Sequence, residues 1–549
     1  MIRTDLTKRL AEAVARLRAH GKLDCAFTIA PELSEPRSPE HGDFATNYGL
    51  VASKEAGVPA PVLGAMLADE LRSDAAFSSA ETAGPGFVNL RLADEYLTEW
   101  AKRAGGDHPI GRPEQPHPQK ILIEFVSVNP NGPIHLGHGR GAAFGDTLAR
   151  VLQAAGNDVS REYYVNDGVN STQMQLFGLS VKALYRKALG LPFEFPEGGY
   201  KGEDVADLAA SIKEEYGEGH PEDGLDFWQP SSQELMLERQ RADLERFGVT
   251  FDRWFREQSL HESNEVQEAI DALTKQGHVY DQDGALFLKS TDFGDDKDRC
   301  VVRSTGEPTY IASDIAYHKD KFDRGFDYLI NIWGPDHHGY VGRTQAAIQA
   351  LGYPKARLEL IITQIVRFIQ NGAPAPMKKR NGEYYRLSDL MDELGVDVVR
   401  FFYLMRSHDT HMDFDIDLAR EHSDKNPVFY VQYAHARLSS LINKAAEQGL
   451  VPDETHMGLL TSEAERNLIK KIWDLPHEIV RCAEDRGVHR LTTYCTELAR
   501  DYHNFYDKCP VIRAESKELA GARLALCGAT RKTLRETFAL LGISAPESM

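Results

Sequence analysis

The sequence predicts an α/β multidomain protein. A doubly wound parallel-sheet core carries an insertion and sits between an N-terminal α+β domain and a C-terminal all-α helical bundle. Three observations carry this reading. The chain has 549 residues, enough for roughly three or four domains at about 150 residues each. Short apolar runs alternate with helical periodicity through its middle, as in a parallel sheet with crossover helices. From Asn426 onward only helical periodicity is present.

Composition narrows the function classes. Hydrophobic residues make up 42% and charged residues 27%, so each domain can bury a core. That excludes a disordered acidic tail, a collagen-like chain and a disulfide-stapled miniprotein. No stretch approaches the roughly 18 uncharged apolar residues of a membrane helix. The opening MIRTDLTKRLAEAVARLRAHGK has no apolar core of a secretory signal, so a cytoplasmic protein with no membrane partner is expected. The six cysteines (Cys25, Cys300, Cys482, Cys495, Cys509 and Cys527) form no CxxC pair and read as reduced core thiols, without a zinc site or disulfide framework. Acidic residues outnumber basic ones 83 to 63, a net charge of −20. Taken whole, that argues against coating nucleic acid by bulk charge. Taken by region, residues 191–297 hold 10 basic and 26 acidic residues, a net of −16, whereas residues 426–549 hold 16 of each.

The elements follow in order. Leu6, Leu10, Val14 and Leu17 lie at helical spacing within residues 4–19. GPGFVNLRL (84–92) alternates like a strand after a Gly-Pro-Gly turn. Residues 105–118 are rich in Gly, Pro and His, so a first domain spans 1–108 and a second 109–375. ILIEFV (121–126) is a buried-strand candidate, and NPNGP supplies turn chemistry after it. Residues 138–155 predict a helix that turns Ala142, Ala143, Leu148, Val151 and Leu152 inward and ends at Gly156. YLINIWG (328–334) and IITQIV (361–366) are two more apolar runs. Residues 170–297 interrupt the alternation with acidic, helix-rich sequence. Ser388 and Gly395 bracket a short helix as caps. Asn426 as N-cap, with Pro427 at the first helical position, opens the last domain, 426–549.

Four segments carry chemistry. EFVSVNPNGPIHLGHGR (124–140) closes a strand and opens a helix, where an α/β sheet binds ligands and a helix N-terminus favours phosphate. His135 and His138 are three apart and can face one ligand, and Gly137 and Gly139 permit close backbone approach. Imidazolium groups there would neutralise charge growing on a phosphate. Taken alone, the pair reads more simply as two capping histidines in a Gly-rich turn. Glu124 is a carboxylate in an apolar run, costly without a partner. That partner is either a protein Lys or Arg or a cationic ligand. YIASDIAYHKDKF (310–322) predicts a helix with Tyr310 and Asp314 one turn apart on one face. APMKKRNGEYYRL (375–387), alone, is a solvated basic turn. NPVFYVQYAHARL (426–438) sets Tyr430 and Tyr433 on one helix face, either as a bundle stripe or to stack on unpaired bases of an RNA loop.

The 124–140 string resembles the HIGH signature of class I aminoacyl-tRNA synthetases. The wider sequence, including WGPDHHG (333–339), resembles the arginyl-tRNA synthetase family, in the same order over nearly the whole chain. The resemblance implies a HIGH-type Rossmann core. It implies ATP-dependent activation of L-arginine to arginyl-adenylate and pyrophosphate, then transfer to the terminal adenosine of tRNA(Arg). Mg²⁺ would accompany ATP, and no zinc is implied. Glu124, Tyr310 and Asp314 become the clamp for the arginine side chain, whose planar fork of donors suits two carboxylates. Asn129 and His135 fall near its α-amino and carboxylate end. His338 stands where the family often has a Gln.

The family's second nucleotide motif, KMSKR, reads here as residues 376–380. Pro376 replaces the first Lys, Lys378 replaces Ser, and Met377, Lys379 and Arg380 are kept. The implied catalytic set is His135, His138 and Lys379. ATP would meet Gly137, His135, His138, Met377, Lys379 and Arg380. Residues 376–425 become this loop and a connecting region toward the tRNA stem. Phe87 and Asn89 match residues that read the tRNA D-loop, although alone they are ordinary strand packing and a turn-facing amide. Tyr430, Tyr433, Tyr506 and Met549 match positions at the anticodon loop. The connective insertion, 170–297, falls near the acceptor end, and its charge run reads as a solvated face with no site. Family members usually need bound tRNA before they activate arginine, and a monomer is expected.

Three rival readings are a class I synthetase for another amino acid, a nucleotidyltransferase with the same core, and a catalytically dead tRNA-binding paralogue. Glu124 and Asp314, with the attached helical domain, argue against the first two. Retention of HLGH and Lys379 argues against the third. With most negative charge in the insertion, the chain is expected to repel nucleic acid in general and to grip one RNA by shape and local contacts.

Overall fold

The computed structural model describes residues 2–23, 29–34, 36, 38–105, 110, 118–168, 171–375 and 385–549. The N-terminal domain opens with the helix Ile2–Ala19, which buries Leu6, Leu10, Val14 and Leu17 as their spacing requires. It packs on the helix Ala60–Leu71. Beside them lies a three-stranded antiparallel sheet, with Phe87–Leu92 between Phe44–Thr46 and Phe77–Ala83. The linker expected at 105–118 falls largely outside the described residues.

The core is a five-stranded parallel sheet. Its spatial order is Leu358–Ile362, Tyr328–Trp333, Lys120–Glu124, Asp158–Val165, Arg253–Arg256. Chain direction reverses about Lys120–Glu124: the next strand lies on one side of it and Tyr328–Trp333 on the other. Such a switch point opens a crevice beyond the strand ends. Above it runs the helix Leu136–Ala154, with Ala142, Ala143, Leu148, Val151 and Leu152 buried. Gly145 lets this helix sit directly on the sheet: a Cβ there would lie 2.4 Å from the Phe125 ring.

Three expectations need correction. The run IITQIV is two strands, not one. Thr363 donates its N–H to Trp333 O at 2.9 Å, Gln364 turns its N–H to His408 O, and Val366–Gln370 then joins a separate sheet with Met412–Asp415. The segment 170–297 is not one excursion from the core. Its helices Thr172–Ala188, Glu203–Tyr216 and Leu225–Arg246 do share their own apolar cluster around Phe177 and Trp228. The chain then returns to the core sheet as Arg253–Arg256, where Phe255 is buried. Four residues with an Arg at each end are too short and too polar to read as a strand. Finally, the helix Leu387–Leu394 is capped by Arg386, whose N–H meets the Asp389 carboxylate at 2.9 Å, so Ser388 lies inside it.

The helical domain comprises Pro427–Glu447, Glu463–Ile472, Leu475–Asp485, Arg490–Lys508 and Lys517–Leu541. Asn426 caps the first, accepting Val428 N–H at 3.0 Å. Trp473 ties this domain to the N-terminal one, donating Nε1–H to Trp100 O at 2.9 Å. Arg400 ties it to the core. Its fully buried guanidinium donates to Leu541 O at 3.0 Å, Phe247 O at 2.9 Å and Asp146 Oδ2 at 2.5 Å. Among the described cysteines, Cys482, Cys495, Cys509 and Cys527 are free and buried, and Cys300 is free and half-buried; Cys25 lies outside the described residues. No described helix is long and apolar enough to cross a membrane.

Arg400→Met removes three buried bonds at once and leaves two carbonyls without their donors. The expected cost is on the order of 3 kcal/mol in chemical unfolding. A loss under about 1 kcal/mol would mean that the apolar core alone holds the helical domain in place.

Candidate active site

Strand register builds the site. It places Asn331, Glu124 and Glu162 side by side across three strands, with Glu124 the last residue of its own. In-register neighbours share a face of a sheet, and the helix Tyr310–Asp323 covers this one. Tyr317 donates its hydroxyl to Glu162 at 2.8 Å, and Arg324 grips the same carboxylate with two bonds of 2.7 and 3.0 Å. Lys321 donates Nζ–H to Glu124 Oε2 at 2.6 Å and to Asn331 Oδ1 at 3.1 Å, and lies 4.0 Å from the centre of the Tyr317 ring. Asn331 Nδ2–H donates to His318 Nε2 at 2.8 Å, and His318 Nδ1–H donates to Asp314 O at 2.7 Å. Burial pushes His318 down to about 3, which agrees with the neutral tautomer these bonds require. Glu124 is 5% exposed, and its partner within the fold is Lys321. Of the two partners the sequence leaves open, a protein Lys is the one found in the fold.

The loop after the strand is strained. Val126 and Ser127 have φ of 70° and 44°, a region costly for a β-branched residue by about 1–3 kcal/mol. Hydrogen bonds hold it there. Ser127 Oγ donates to Glu124 Oε1 at 3.2 Å and accepts Tyr164 N–H at 3.2 Å. The Tyr163 hydroxyl meets both the N–H and the C=O of Val128. Asn129 follows, its amide donating to Gln173 at 3.3 Å.

Two further carboxylates face this row. Asp314 is half-buried, one turn after Tyr310, which is 61% exposed. Burial, with the nearby Glu124 charge, raises Asp314 to about 6, against the lowering effect of Arg343, His337 and Lys321. Glu257, 5% exposed, begins the short helix Glu257–Glu262 and is bonded by the hydroxyls of Tyr164 and Ser313. Burial first, then the Asp314 charge, pushes it up to about 7. Among the described residues, neither Asp314 nor Glu257 forms a salt bridge. Glu257, Tyr310 and Ser313 line a cavity of about 380 Å³ with Asn166 and Arg303; the Asn166 Oδ1 atom is buried without a hydrogen-bond partner.

Sequence reasoning missed Glu257, because it lies in the stretch read as a solvated face. The available signal was its place directly after the aromatic strand Arg253–Arg256, the same arrangement that puts Glu124 after ILI. His338 is exposed on the 3₁₀ turn Pro335–Tyr340, and it is the neighbouring His337 whose charge reaches Asp314.

The histidines of HLGH cap the helix Leu136–Ala154. Gly137 N–H donates to His135 Nδ1 at 3.0 Å, His135 N–H donates to His138 Nδ1 at 3.4 Å, and the rings stack 3.5 Å apart. Burial lowers both, His138 to about 3. The expected imidazolium charge is therefore absent: with each Nδ1 accepting, the ring protons sit on Nε2, as neutral donors. Gly137 is exposed at the helix start. Arg140 fixes this helix by donating to Gln364 O, Thr410 O and Ser407 O at 2.6–2.9 Å. Met377, Lys379 and Arg380, with Pro376, lie outside the described residues. The Tyr385 carbonyl accepts Leu136 N–H at 3.2 Å beside the HLGH turn.

Of the RNA-facing candidates, Phe87 is exposed and Asn89 half-buried on the strand Phe87–Leu92. In the helical domain Tyr433 is 43% exposed. His503 links Tyr433 to Tyr430, with ring centres 6.2 and 5.3 Å away. Arg437 lies over Tyr506 at 3.9 Å. Tyr430, Tyr433 and Tyr506 thus share one aromatic surface, and His503 and Arg437 are its unanticipated members. Met549 is exposed and lines a neighbouring cavity with Phe429.

Comparison with known proteins matches each part of this architecture. The family model for the class I (R) tRNA synthetase catalytic domain matches residues 107–191 and 200–402. The arginyl-tRNA synthetase N-terminal domain matches residues 2–92, and the DALR anticodon binding domain residues 431–549. The arginine–tRNA ligase of Carboxydothermus hydrogenoformans is 44% identical over 537 residues, 96% of each chain. That of Bacillus subtilis is 45% identical over 532 residues, 94% of each chain. A Campylobacter jejuni structure described as a putative arginyl-tRNA synthetase superposes with a TM-score of 0.76 at 34% identity, covering 83% of this chain and 100% of that one. The Thermus thermophilus arginyl-tRNA synthetase shares the fold, with a TM-score of 0.78 at 23% identity over the whole of both chains. With near-complete coverage at this identity, and all three domains matched in order, the chain belongs to the arginine–tRNA ligase family.

Proposed function

We propose that the chain joins L-arginine to tRNA(Arg) at the carboxylate pocket and the HLGH helix, in two steps. The carrying observation is the pair of carboxylates, half-buried Asp314 and buried Glu257, which form no salt bridge among the described residues and stand near Glu124. Such a pocket favours a planar cation with several donors, and a guanidinium is one. Asp314, Glu257 and Glu124 take the side chain, Tyr310 covers it, and Asn129 and His135 hold the α-amino and carboxylate end. His338 stays a weaker candidate for the substrate.

In the first step the arginine carboxylate attacks the α-phosphate of ATP in line, and pyrophosphate leaves as arginyl-adenylate forms. The Nε2–H donors of His135 and His138 and the open backbone at Gly137 meet the phosphates at a helix N-terminus. Lys379 supplies the point charge on the leaving group, with Met377 and Arg380 on the same loop. Mg²⁺, when bound with ATP, would neutralise part of the triphosphate charge. In the second step the 2′-hydroxyl of the terminal tRNA ribose attacks the adenylate carbonyl, forming the ester and releasing AMP. No protein side chain acts as a covalent nucleophile. Phe87 and Asn89 contact the D-loop. Tyr430, Tyr433, Tyr506 and Met549 hold the anticodon loop by stacking and local contacts. The enzyme works as a cytoplasmic monomer and activates arginine only with tRNA bound.

The deciding measurement is ATP–pyrophosphate exchange with each amino acid, with and without tRNA(Arg). Exchange with arginine alone, and only when tRNA is present, is expected; no exchange under any condition overturns the reading. Asp314→Ala should raise the arginine KM at least about 100-fold while the ATP KM changes little. Equal losses for both substrates would make Asp314 structural.

The raised carboxylates make a pH prediction. Glu257 and Asp314 hold protons more tightly in the free folded protein than when unfolded, so they oppose folding as pH rises through about 4.5 to 7. A bound guanidinium needs them ionised. Arginine affinity should therefore climb between about pH 5.5 and 7.5, with proton release that calorimetry detects in buffers of different ionisation enthalpy. In the free protein Glu257→Gln should stabilise by about 3 kcal/mol at pH 8 and by almost nothing below about pH 4.5. Stabilisation of the same size at both pH values would show that burial of charge is not its cause.

A further inference from the structure

The arginine pocket contains a buried cation of its own. Lys321 is fully inaccessible. Its ammonium spends its donors on Glu124 at 2.6 Å, Asn331 at 3.1 Å and the face of the Tyr317 ring at 4.0 Å. It cannot reach solvent, and it repels the guanidinium that the pocket is read to hold. Affinity for a cation alone would not place it there.

We infer that Lys321 is a positioning residue for arginine recognition: it holds the Glu124 carboxylate in place and fixes the spacing between Glu124 and Asp314. The inference rests on the reading of those two residues as guanidinium ligands. Two arguments support it. The first is electrostatic. Glu124 is faced by Lys321, Tyr317 and Asp314 from the covering helix and by Tyr164 from the neighbouring strand. Glu257 lies beyond Tyr164, and Arg343 and His337 act on Asp314 from the other side. Three carboxylates crowded in low dielectric take up protons unless a cation stands among them, and a neutral acid holds a guanidinium poorly. Lys321 answers Glu124 permanently and leaves Asp314 and Glu257 for the substrate.

The second argument is geometric. A single chain of hydrogen bonds runs from Glu124 through Lys321, Asn331 and His318 to the backbone carbonyl of Asp314. Each bond has only one possible direction. Asp314 O can only accept, so His318 donates from Nδ1 and accepts at Nε2. Asn331 must then present its NH₂ to His318 and its oxygen to the ammonium. The relay ends on the helical turn that carries Asp314 and begins on the strand end that carries Glu124. It therefore sets the gap that the guanidinium must span.

The test is arginine-dependent ATP–pyrophosphate exchange in the presence of tRNA(Arg), for the wild type, E124Q, K321M and E124Q/K321M, from pH 6 to 9. K321M is expected to raise the arginine KM about 100-fold at pH 7. It should leave the ATP KM within about threefold of wild type. The double variant should bind arginine within about threefold of E124Q, because Lys321 acts through Glu124. A K321M protein with the wild-type arginine KM, equal losses for ATP and arginine, or a double variant about 100-fold worse than E124Q would each overturn the inference. Should K321M fail to fold, E124Q against the uncharged double variant decides the matter, since replacing both partners of a buried pair is tolerated far better than replacing one. An unchanged arginine KM in E124Q would overturn the reading of Glu124 as ligand together with this inference. A raised one with multiplicative loss in the double variant overturns the inference alone.

Discussion

The polar row across three core strands is the constraint on which the rest of the site depends. Asn331, Glu124 and Glu162 stand in register, and one face of the helix Tyr310–Asp323 answers all three. Buried carboxylates are admitted to a sheet only when paired and hydrogen-bonded. Here the pairing also fixes how that helix lies on the sheet, and so where Tyr310 and Asp314 point. The strained turn at Val126 and Ser127 belongs to the same arrangement, because Ser127 ties the turn back to Glu124 and to the next strand.

Against this neutralised row, Asp314 and Glu257 stand out as carboxylates that form no salt bridge among the described residues. Their burial works against stability wherever they are ionised. The site thus combines two electrostatic regimes within one pocket. Glu124 and Glu162 are paired within the fold, and the second pair is the one proposed to meet a ligand. The HLGH helix follows a related logic. Burial disfavours the charged form of its two histidines, and each Nδ1 accepts a backbone N–H, so the rings present Nε2–H groups at the helix start.

The domains are fastened by a few buried polar anchors laid over a continuous apolar core. Arg140 pins the HLGH helix to the segments that follow the last core strand. Arg400 joins that region to the C-terminal helix Lys517–Leu541 through Leu541, and to the HLGH helix through Asp146. The proposed RNA-binding helices and the proposed nucleotide-binding turn are thereby parts of one connected body. A neutral helical domain and an acidic insertion can then coexist, because attachment to the core does not rely on surface charge.

Local physics is legible in a sequence. The 3.6-residue spacing of Leu6, Leu10, Val14 and Leu17, the apolar run before Glu124, the Asn426–Pro427 helix start and the one-turn spacing of Tyr310 and Asp314 each reappear in the structure, because each depends on neighbours within a turn or a strand. The motif order from HLGH to the late basic loop carried the family in the same way. Tertiary structure alone decided the rest. Whether Glu124 meets a protein cation turned on Lys321, 197 residues away, and on the strand register that brings them together. Glu257 became a site residue only when Arg253–Arg256 rejoined the sheet. The protonation of His135 and His138 depended on how deeply their rings are buried. Pairing, burial and dielectric are properties of the assembled interior: they emerge when distant segments exclude water together, and no local pattern encodes them.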